Sequence, residues 1–450
     1  MTTAGMVVVL ILILFAVLFL GSPVKSALGF VAICAVLIFM DPKLLSQFAK
    51  IAYTQGTNTN MIVAPLFILM SEFLSRGGIA EDLFSSLSKW TRKIKGGLAV
   101  ATTLACTIFA ALCGSSPATA ASIGKISINE MIKRNYSEAF AAGTVAGGGT
   151  LGIMIPPSIT FVIYGILTET SIVKLFMAGL LPGIMLSALF CITIVIRATF
   201  NPSLVGESKQ RKALPEESIK KKKAEGAMTT IQSMGIGKDI SGIIPSFALI
   251  IVVLGAMYTG IATPTEAAGL GAIGAFVIII ILRRMSRSLF MSSLEATTRT
   301  GAMLIVLMIC GFCLSFVVSY LGIASHIASS IADSGFSRYG VLVLVYVLWL
   351  ILGCFIDPGS MIILTIPFLF PTLRSLGFDP VWIGVVSVLC VEIGMITPPV
   401  GLNLFVIKAN TEVSMASLIK GSLPSMGILI VGLIILTIFP GIATFLPGNM

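Results

Sequence analysis

Four short segments rich in Gly, Ser and Pro interrupt otherwise apolar stretches of the chain, and they carry the residues that could do chemistry. Two are tight turns at residues 114–117 and 357–360, and two are double-proline breaks at 149–158 and 394–401. Proline removes a backbone donor and blocks the preceding helical turn, so each break leaves carbonyl groups without a helical partner. In a bilayer such carbonyls must be buried in protein or line a polar cavity. The pattern therefore predicts a polar site built from broken helices.

The chemistry predicted for this site is the binding of a cation and an organic anion. Carbonyl and hydroxyl oxygens at helix ends suit Na⁺, and the positive dipole ends of half-helices suit a carboxylate. We predict Na⁺ ligands among Gly114, Ser115, Ser116, Gly152, Pro156, Asp357, Gly394, Thr397 and Pro398. We predict contacts to the anion from Thr119, Ser158, Ser360, Asn403 and Lys125. The alternative is that Gly and Pro only kink packed helices, as they often do in membranes.

Three ionisable residues near the breaks allow more than one interpretation. Asp357 would cost at least ~2.5–3.5 kcal/mol near the bilayer centre, which a bound cation would offset; alternatively it caps a helix. Lys125, about two turns beyond the first tip, either attracts an anion or extends to the membrane surface. Glu392, just before a break, either binds a cation or proton, or caps or pairs with a neighbouring helix.

The composition predicts an all-α polytopic membrane protein. Of 450 residues, 56% are hydrophobic and 11% charged, whereas soluble domains carry about 25% charged residues. Apolar runs such as 5–20, 243–258 and 422–440 approach the ~20 residues that a membrane helix needs. The net charge of +10 comes from Lys and Arg in short polar loops, which indicates a lipid bilayer and not nucleic acid as the partner. We find no hydrolase or nucleotide-binding motif and expect neither an enzyme nor a transition-metal site.

The chain repeats itself at a shift of about 242 residues. Pro117 matches Pro358, Pro156-Pro157 matches Pro398-Pro399, and Leu181-Pro182 matches Leu423-Pro424. This predicts a first repeat at 1–200, a basic cytoplasmic linker at 201–239 and a second repeat at 240–450. The sign of charge switches between equivalent loops, which is typical of inverted repeats.

Each repeat is predicted to hold about five membrane spans plus one re-entrant hairpin, at 97–131 and 340–373. The two arms of each hairpin are short for full crossings. The predicted topology places 81–95, 133–135, 198–242 and 283–299 in the cytoplasm and both termini outside. The amphipathic segment Ile79–Lys95, with Leu83, Phe84, Leu87 and Trp90 on its apolar face, is predicted to lie flat at the interface, and 323–337 is its counterpart.

Several of these motifs, in this order, resemble the large membrane subunit of tripartite ATP-independent periplasmic (TRAP) transporters of the DctM or SiaM type. The resemblance covers nearly the whole chain and rests on the following segments: Gly114–Ala121, Ile155–Ser158, Leu175–Gly183, Thr263–Ala268 and Thr397–Gly401. Lys125 departs from the family, in which an uncharged residue is usual.

The resemblance implies an elevator mechanism with a fixed scaffold and a moving transport core. It also implies Na⁺ coupling, a carboxylate substrate such as a C4-dicarboxylate or sialic acid, and a location in the bacterial inner membrane. The implied partners are a small four-helix membrane subunit and a periplasmic solute-binding protein. We expect the large subunit alone, since no four-helix block precedes residue 1. The alternatives are a stand-alone ion-coupled carboxylate transporter or exchanger without a binding protein, and a membrane enzyme or scaffold.

Overall fold

The computed structural model describes residues 3–206, 243–323, 326 and 337–448, and within these ranges it contains helices and no strand. In the first half the α-helices are α1 (Thr3–Phe19), α2 (Val24–Phe39), α3 (Leu45–Gly56), α4 (Val63–Arg76), α5 (Ile79–Trp90), α6 (Gly97–Cys113), α7 (Ser116–Lys133), α8 (Glu138–Met154), α9 (Ile159–Thr168) and α10 (Ile172–Phe200). In the second half they are α11 (Ile243–Tyr258), α12 (Pro264–Ile281), α13 (Arg287–Tyr320), α14 (Arg338–Gly353), α15 (Pro358–Ser375), α16 (Pro380–Met395), α17 (Leu402–Asn410), α18 (Met415–Ile438) and α19 (Gly441–Gly448).

The helices follow in a similar order in the two halves. A hairpin of two short helices (α6–α7 and α14–α15) precedes a broken pair (α8–α9 and α16–α17), which precedes one long helix (α10 and α18). Most of the predicted linker, and residues 324–325 and 327–336 of the predicted second interfacial helix, lie outside the described residues. The opposite orientation of the two halves stays a prediction.

The described helices include several that are long and apolar enough to cross a membrane. Five meet this requirement, or six if the pair 59–76 and 79–93, bent by 61°, counts as one span. Six further apolar helices have only 10–17 residues, which at 1.5 Å per residue is shorter than a ~30 Å hydrocarbon core. The fold is therefore a bundle of mixed long and short apolar helices, and five crossings per repeat stay a prediction.

Small residues let α8 and α18, one from each half, approach to backbone contact. A Cβ on Gly143 would overlap the carbonyl of Gly421, and a Cβ on Gly147 would lie 2.6 Å from Ser425 Oγ. Ser425 Oγ also donates a hydrogen bond to the Gly143 carbonyl at 3.0 Å. In lipid, helices associate through such close packing and through hydrogen bonds between them. The crossing joins the two halves directly.

The bend between α4 and α5 is held by an arginine from the other half. Arg284 donates to the carbonyls of Gly77 and Gly78 at 2.9 and 3.2 Å. It also pairs with both carboxylate oxygens of Asp82, at 2.7 and 3.0 Å. The hydrogen bond that it donates to Asp82 raises the pKa of the Arg284 guanidinium. Gly78, at φ +79°, supplies the left-handed residue that this turn requires.

Helix α5 has the predicted amphipathic character with one difference at its end. Leu83, Phe84 and Leu87 are buried. Trp90, predicted on the same apolar face, is 73% exposed. Thr91 is buried in its place and donates to the carbonyls of Leu87 and Gly97, at 2.9 and 2.7 Å. The chain turns into α6 at this point, so the apolar face of α5 ends at Leu87, whereas the sequence pattern predicts that it ends at Trp90.

Candidate functional site

The tip of the first hairpin is a sharp turn between α6 and α7. Gly114 ends α6 in the left-handed conformation at φ +64°, and its N–H donates to the Ala110 carbonyl at 3.0 Å. Glycine is preferred here because it has no Cβ to clash. Pro117 sits in the first turn of α7, where its missing N–H costs nothing. Ser116 is buried and Ser115 half-buried, so the tip is not a solvent loop.

This tip is packed against the first double-proline break. The N–H of Ile159 donates to the Gly114 carbonyl at 3.4 Å. A Cβ on Gly114 would lie 2.5 Å from the Pro157 carbonyl oxygen, and one on Gly152 would lie 2.6 Å from that of Ser115. The backbone of the first tip therefore lies in close contact with that of the first break. The role of Gly114, Ser115, Ser116, Gly152 and Pro156 as Na⁺ ligands stays a prediction.

The second tip meets the second break in the same way. The N–H of Gly401 donates to the Cys354 carbonyl at 3.2 Å. A Cβ on Gly394 would lie 2.5 Å from the Gly353 carbonyl carbon. Asp357 caps α15, because its Oδ1 accepts a hydrogen bond from the Ser360 N–H at 3.1 Å. The interpretation of Asp357 as a helix cap is thus confirmed. Its other carboxylate oxygen, Oδ2, does not take part in the cap.

Three contacts join the hairpins of one half to the broken helices of the other. Ser116 Oγ, on the first tip, donates a hydrogen bond to Glu392 Oε1 on α16. Helix α17 packs on α7, while α9 packs on α15. The second piece of each broken helix therefore contacts the hairpin of the other half. All four breaks belong to one connected region of the fold.

The remaining predicted residues divide between buried and exposed positions. Thr119, Ser158 and Ser360 are buried, and Ser158 Oγ caps α9 by accepting from the Phe161 N–H at 3.3 Å. Thr397 is half-buried, and its hydroxyl donates to the Ile393 carbonyl at 2.6 Å. Lys125 is exposed on α7. A ligand in the buried region would therefore meet hydroxyls and carbonyls before it met this lysine.

Asn403 stands out among the predicted anion ligands. It is fully buried at the start of α17, and within the described part of the chain neither its side-chain nitrogen nor its side-chain oxygen has a hydrogen-bond partner. Buried polar groups are nearly always paired, and each exception needs an explanation. Helix α17 packs on α7, the second helix of the first hairpin. A side-chain amide at this position can both donate and accept hydrogen bonds, so it is suited to bind a ligand.

Three contributors were not among the predicted site residues. The Thr150 carbonyl lies 3.4 Å from Ser116 Oγ, and Gly353 and Cys354 form the surface that meets the second break. The repeat itself offered a signal, since Cys354 matches Cys113 beside the first tip at the same shift as the prolines. For Glu392 the sequence predicts binding of a cation or proton, or capping of or pairing with a neighbouring helix, and does not indicate Ser116 as its partner.

The donor set suits a hard cation. The converging groups are backbone carbonyls, hydroxyls and the Asp357 carboxylate, which are oxygen donors of the kind that alkali and alkaline-earth ions prefer. Among the residues that the structure describes, no group of three or more His, Cys, Asp or Glu side chains is placed to hold a metal ion.

Within the described residues the chain is a bundle of apolar helices whose chain breaks are buried beside polar groups, an arrangement typical of membrane transporters. Residues 11–442 match the family described as the DctM component of the tripartite ATP-independent periplasmic transporter. The chain therefore belongs to this family of transporter large permeases, and it is not an enzyme. The resemblance drawn from the sequence motifs is confirmed.

Relatives with named solutes match over most of their length. The chain is 36% identical over 423 residues, 94% of each chain, to the C4-dicarboxylate TRAP transporter large permease protein DctM of Pseudomonas aeruginosa. It is 31% identical, over 86% of each chain, to the ectoine/5-hydroxyectoine large permease UehC of Ruegeria pomeroyi. It is 29% identical, over 96% of each chain, to the sialic acid large permease SiaM of Vibrio cholerae.

A solved structure shares the fold. The crystal structure of the YdaH transporter of Alcanivorax borkumensis superposes with a TM-score of 0.58 over 90% of each chain, at 15% sequence identity.

Proposed function

We propose that this large permease carries out Na⁺-coupled uptake of a small organic anion across the bacterial inner membrane. The solute is delivered by a periplasmic binding protein, and a small four-helix membrane subunit completes the transporter. The observation that carries the proposal is the contact of each hairpin tip with a broken helix, which collects carbonyl and hydroxyl oxygens in a buried region.

The two tip-and-break contacts are the proposed Na⁺ sites. Around the first, the proposed ligands are backbone and hydroxyl oxygens of Gly114, Ser115, Ser116, Gly152 and Pro156. A Cβ on Gly114 would lie 2.5 Å from the Pro157 carbonyl oxygen, and one on Gly152 would lie 2.6 Å from that of Ser115. Around the second, the proposed ligands are Asp357, Gly394, Thr397 and Pro398. Of these, Asp357 adds a carboxylate. At these glycine positions a larger side chain would push the neighbouring backbone away. Glycine therefore lets the oxygens approach closely enough to bind the same ion.

The anion is proposed to lie between the two sites. Thr119, Ser158, Ser360 and Asn403 are buried, and the N-terminal ends of α9 and α15 present a positive dipole. Dicarboxylates, sialic acid and ectoine, the solutes named for the relatives, all carry a carboxylate. Lys125 is proposed to add attraction from the exposed side of α7.

Coupling follows if Na⁺ favours the state that binds the anion. A ligand shifts a conformational equilibrium only through its different affinity for the two states. Na⁺ at the tips would order both hairpins and complete the anion site. In the proposed elevator mechanism, the core that carries both hairpins and both broken helices then moves against a frame built of the inverted repeats' remaining helices.

The test is solute flux into proteoliposomes that contain the chain, its small subunit and the binding protein. We expect uptake with an inward Na⁺ gradient and none with K⁺ in its place. Uptake that does not respond to Na⁺ would reject the coupling. Uptake by this chain alone, without the binding protein, would select the alternative of a stand-alone carboxylate transporter.

A further inference from the structure

Arg197 is a basic residue in the last turn of α10 that has no acidic partner. It lies three residues before Phe200, the end of the helix, which corresponds to about 5 Å along the helix axis. It is half-buried, and its guanidinium carbon lies 5.1 Å from the centroid of the Phe140 ring. Within the described part of the chain it takes part in no ion pair. A guanidinium that is partly buried in a membrane helix without a counter-charge is costly.

The acids near α10 do not supply that counter-charge. The described helices that pack most closely against α10 carry two acidic residues, Glu138 on α8 and Glu392 on α16. Glu138 accepts from the Ser414 N–H at 2.6 Å, and Glu392 is hydrogen-bonded to the first hairpin. Glu169, after α9, lies at the opposite end of α10. The charge of Arg197 is therefore left for a partner outside the described chain.

Arg197 borders a cleft between α6, α8, α10 and α18, at the end of α10 that is predicted to face the cytoplasm. The polar part of the cleft lining consists of this guanidinium and the hydroxyls of Thr103, Thr144, Thr193 and Ser425. The cleft thus lies directly beside the crossing of α8 and α18, which joins the two halves.

The hydroxyls in the cleft are acceptors and not donors. Thr103, Thr144 and Ser425 donate their hydrogens to backbone carbonyls, at 3.2, 2.9 and 3.0 Å. A hydroxyl has one hydrogen and two acceptor lone pairs, so these oxygens remain able only to accept. The group that complements the cleft therefore carries a negative charge for Arg197 and has O–H or N–H donors of its own.

Apolar surface continues from the cleft along the same two helices. Ile192 and Ile196 on α10, each next to a residue of the cleft, are exposed, and so is Val431 on α18, three residues beyond the cleft residue Ile428. Both helices are long and apolar enough to cross a membrane. A ligand with its anionic end at the cleft would thus find apolar surface for hydrocarbon chains, which a free phosphate ion does not possess.

We propose that this cleft binds the headgroup of an anionic phospholipid. Arg197 binds the phosphate, in the bidentate manner that suits a guanidinium, and the hydroxyl oxygens accept from the headgroup. Basic pockets between membrane helices on the cytoplasmic side bind anionic lipids in this way. Phosphatidylglycerol fits, since it carries one negative charge and a glycerol with O–H donors, whereas phosphatidylcholine has neither. The proposal does not depend on the proposed transport function.

Native mass spectrometry of the purified full-length chain, titrated in detergent with either lipid, tests the site without transport. We expect the wild-type chain to bind phosphatidylglycerol more tightly than phosphatidylcholine. Arg197→Gln should weaken phosphatidylglycerol binding by about fivefold, the contribution of one basic residue near an anionic lipid surface, and should not change phosphatidylcholine binding. Equal affinity of Arg197→Gln and wild type for phosphatidylglycerol would overturn the proposal.

Arg134→Gln is the matched control. Arg134 is exposed at the end of α7, on the side that is also predicted to be cytoplasmic, so its substitution removes the same charge outside the cleft. This variant should bind phosphatidylglycerol as the wild type does. An equal loss in the two variants would show attraction to the basic surface in general, and the cleft would be rejected as the site.

A second variant keeps the proposal testable if Arg197→Gln does not fold. Thr193→Phe fills the cleft and leaves Arg197 in place, so it should also weaken phosphatidylglycerol binding; unchanged binding would place the lipid elsewhere. Inorganic phosphate, added at the same concentration as the lipid, should not displace it. Displacement would make the cleft a site for a free anion and would overturn the assignment to a phospholipid.

Discussion

At the scale of single residues, Asp357 combines two roles that substitution can separate. Its Oδ1 caps α15 through the Ser360 N–H, and its charge is proposed to bind Na⁺. Asparagine is as good an N-cap as aspartate, whereas alanine costs ~1 kcal/mol at such a position. The cap and the charge therefore predict different results for Asn and Ala.

We expect Asp357→Asn to fold normally and to lose most Na⁺-driven uptake, measured in the proteoliposome assay. Asp41→Asn is the matched control, since Asp41 caps an exposed turn by accepting from the Lys43 N–H at 2.9 Å. Wild-type uptake by Asp357→Asn would show that the aspartate serves only as a cap.

Gly152 is a residue whose lack of a side chain sets the geometry of the first tip. A Cβ there would lie 2.6 Å from the Ser115 oxygen and the Ser116 Cα, both backbone atoms. Overpacking of this kind typically costs ~1–3 kcal/mol. We expect Gly152→Ala to lower the thermal stability of the detergent-solubilised chain and to reduce uptake.

Gly269→Ala supplies the comparison. It also lies in a helix, and nothing stands within 4 Å of its Cβ position. Because alanine favours a helix by about 1 kcal/mol over glycine, this variant should be as stable as wild type or more so. Equal behaviour of the two variants would contradict the close packing at the tip.

At the scale of helices, the crossing of α8 and α18 depends on backbone contact at Gly143 and Gly421. A Cβ on Gly421 would overlap the Ala139 carbonyl, so the two helices would have to separate. We expect Gly421→Ala to lower the unfolding temperature and to reduce the yield of folded protein. Gly427→Ala, on the same helix with nothing within 4 Å, should have neither effect. Similar losses in both variants would show that the close approach at the crossing is not responsible.

At the scale of the whole molecule, Na⁺ should stabilise the fold, because a ligand that binds only the native state raises its stability by RT ln(1 + [L]/Kd). That amounts to ~2.7 kcal/mol at a concentration one hundred times Kd. We expect the unfolding temperature to be higher in NaCl than in KCl at equal ionic strength. Asp357→Asn should reduce the difference. No difference between the two salts in the wild-type chain would count against both proposed ion sites.

The sequence predicted the hairpins and breaks well because they are marked by local chemistry. The predicted hairpin segments 97–131 and 340–373 coincide with the helix pairs α6–α7 and α14–α15, which span residues 97–133 and 338–375. Their re-entrant placement in a membrane stays a prediction. Glycine and proline fix backbone geometry within a few residues, so their positions can be read without knowing the fold.

Contacts between distant segments were less predictable. The pairing of Glu392 with Ser116 and the isolation of Asn403 depend on how α16 and α17 pack on the first hairpin. Trp90 was assigned to the buried face by helical period, and it is exposed because the chain turns at Thr91. Such features follow from tertiary packing, which a repeat and a periodicity do not specify.

The exchange of contacts between the halves also has a consequence for biosynthesis. The first hairpin is complete once Lys133 has been made, but its partners Glu392 and α17 are among the last segments to leave the ribosome. For most of translation its polar tip must remain in the membrane without them. The first half therefore lacks stabilising contacts until the last quarter of the chain has been made. A chain truncated before that quarter should be degraded by quality-control proteases.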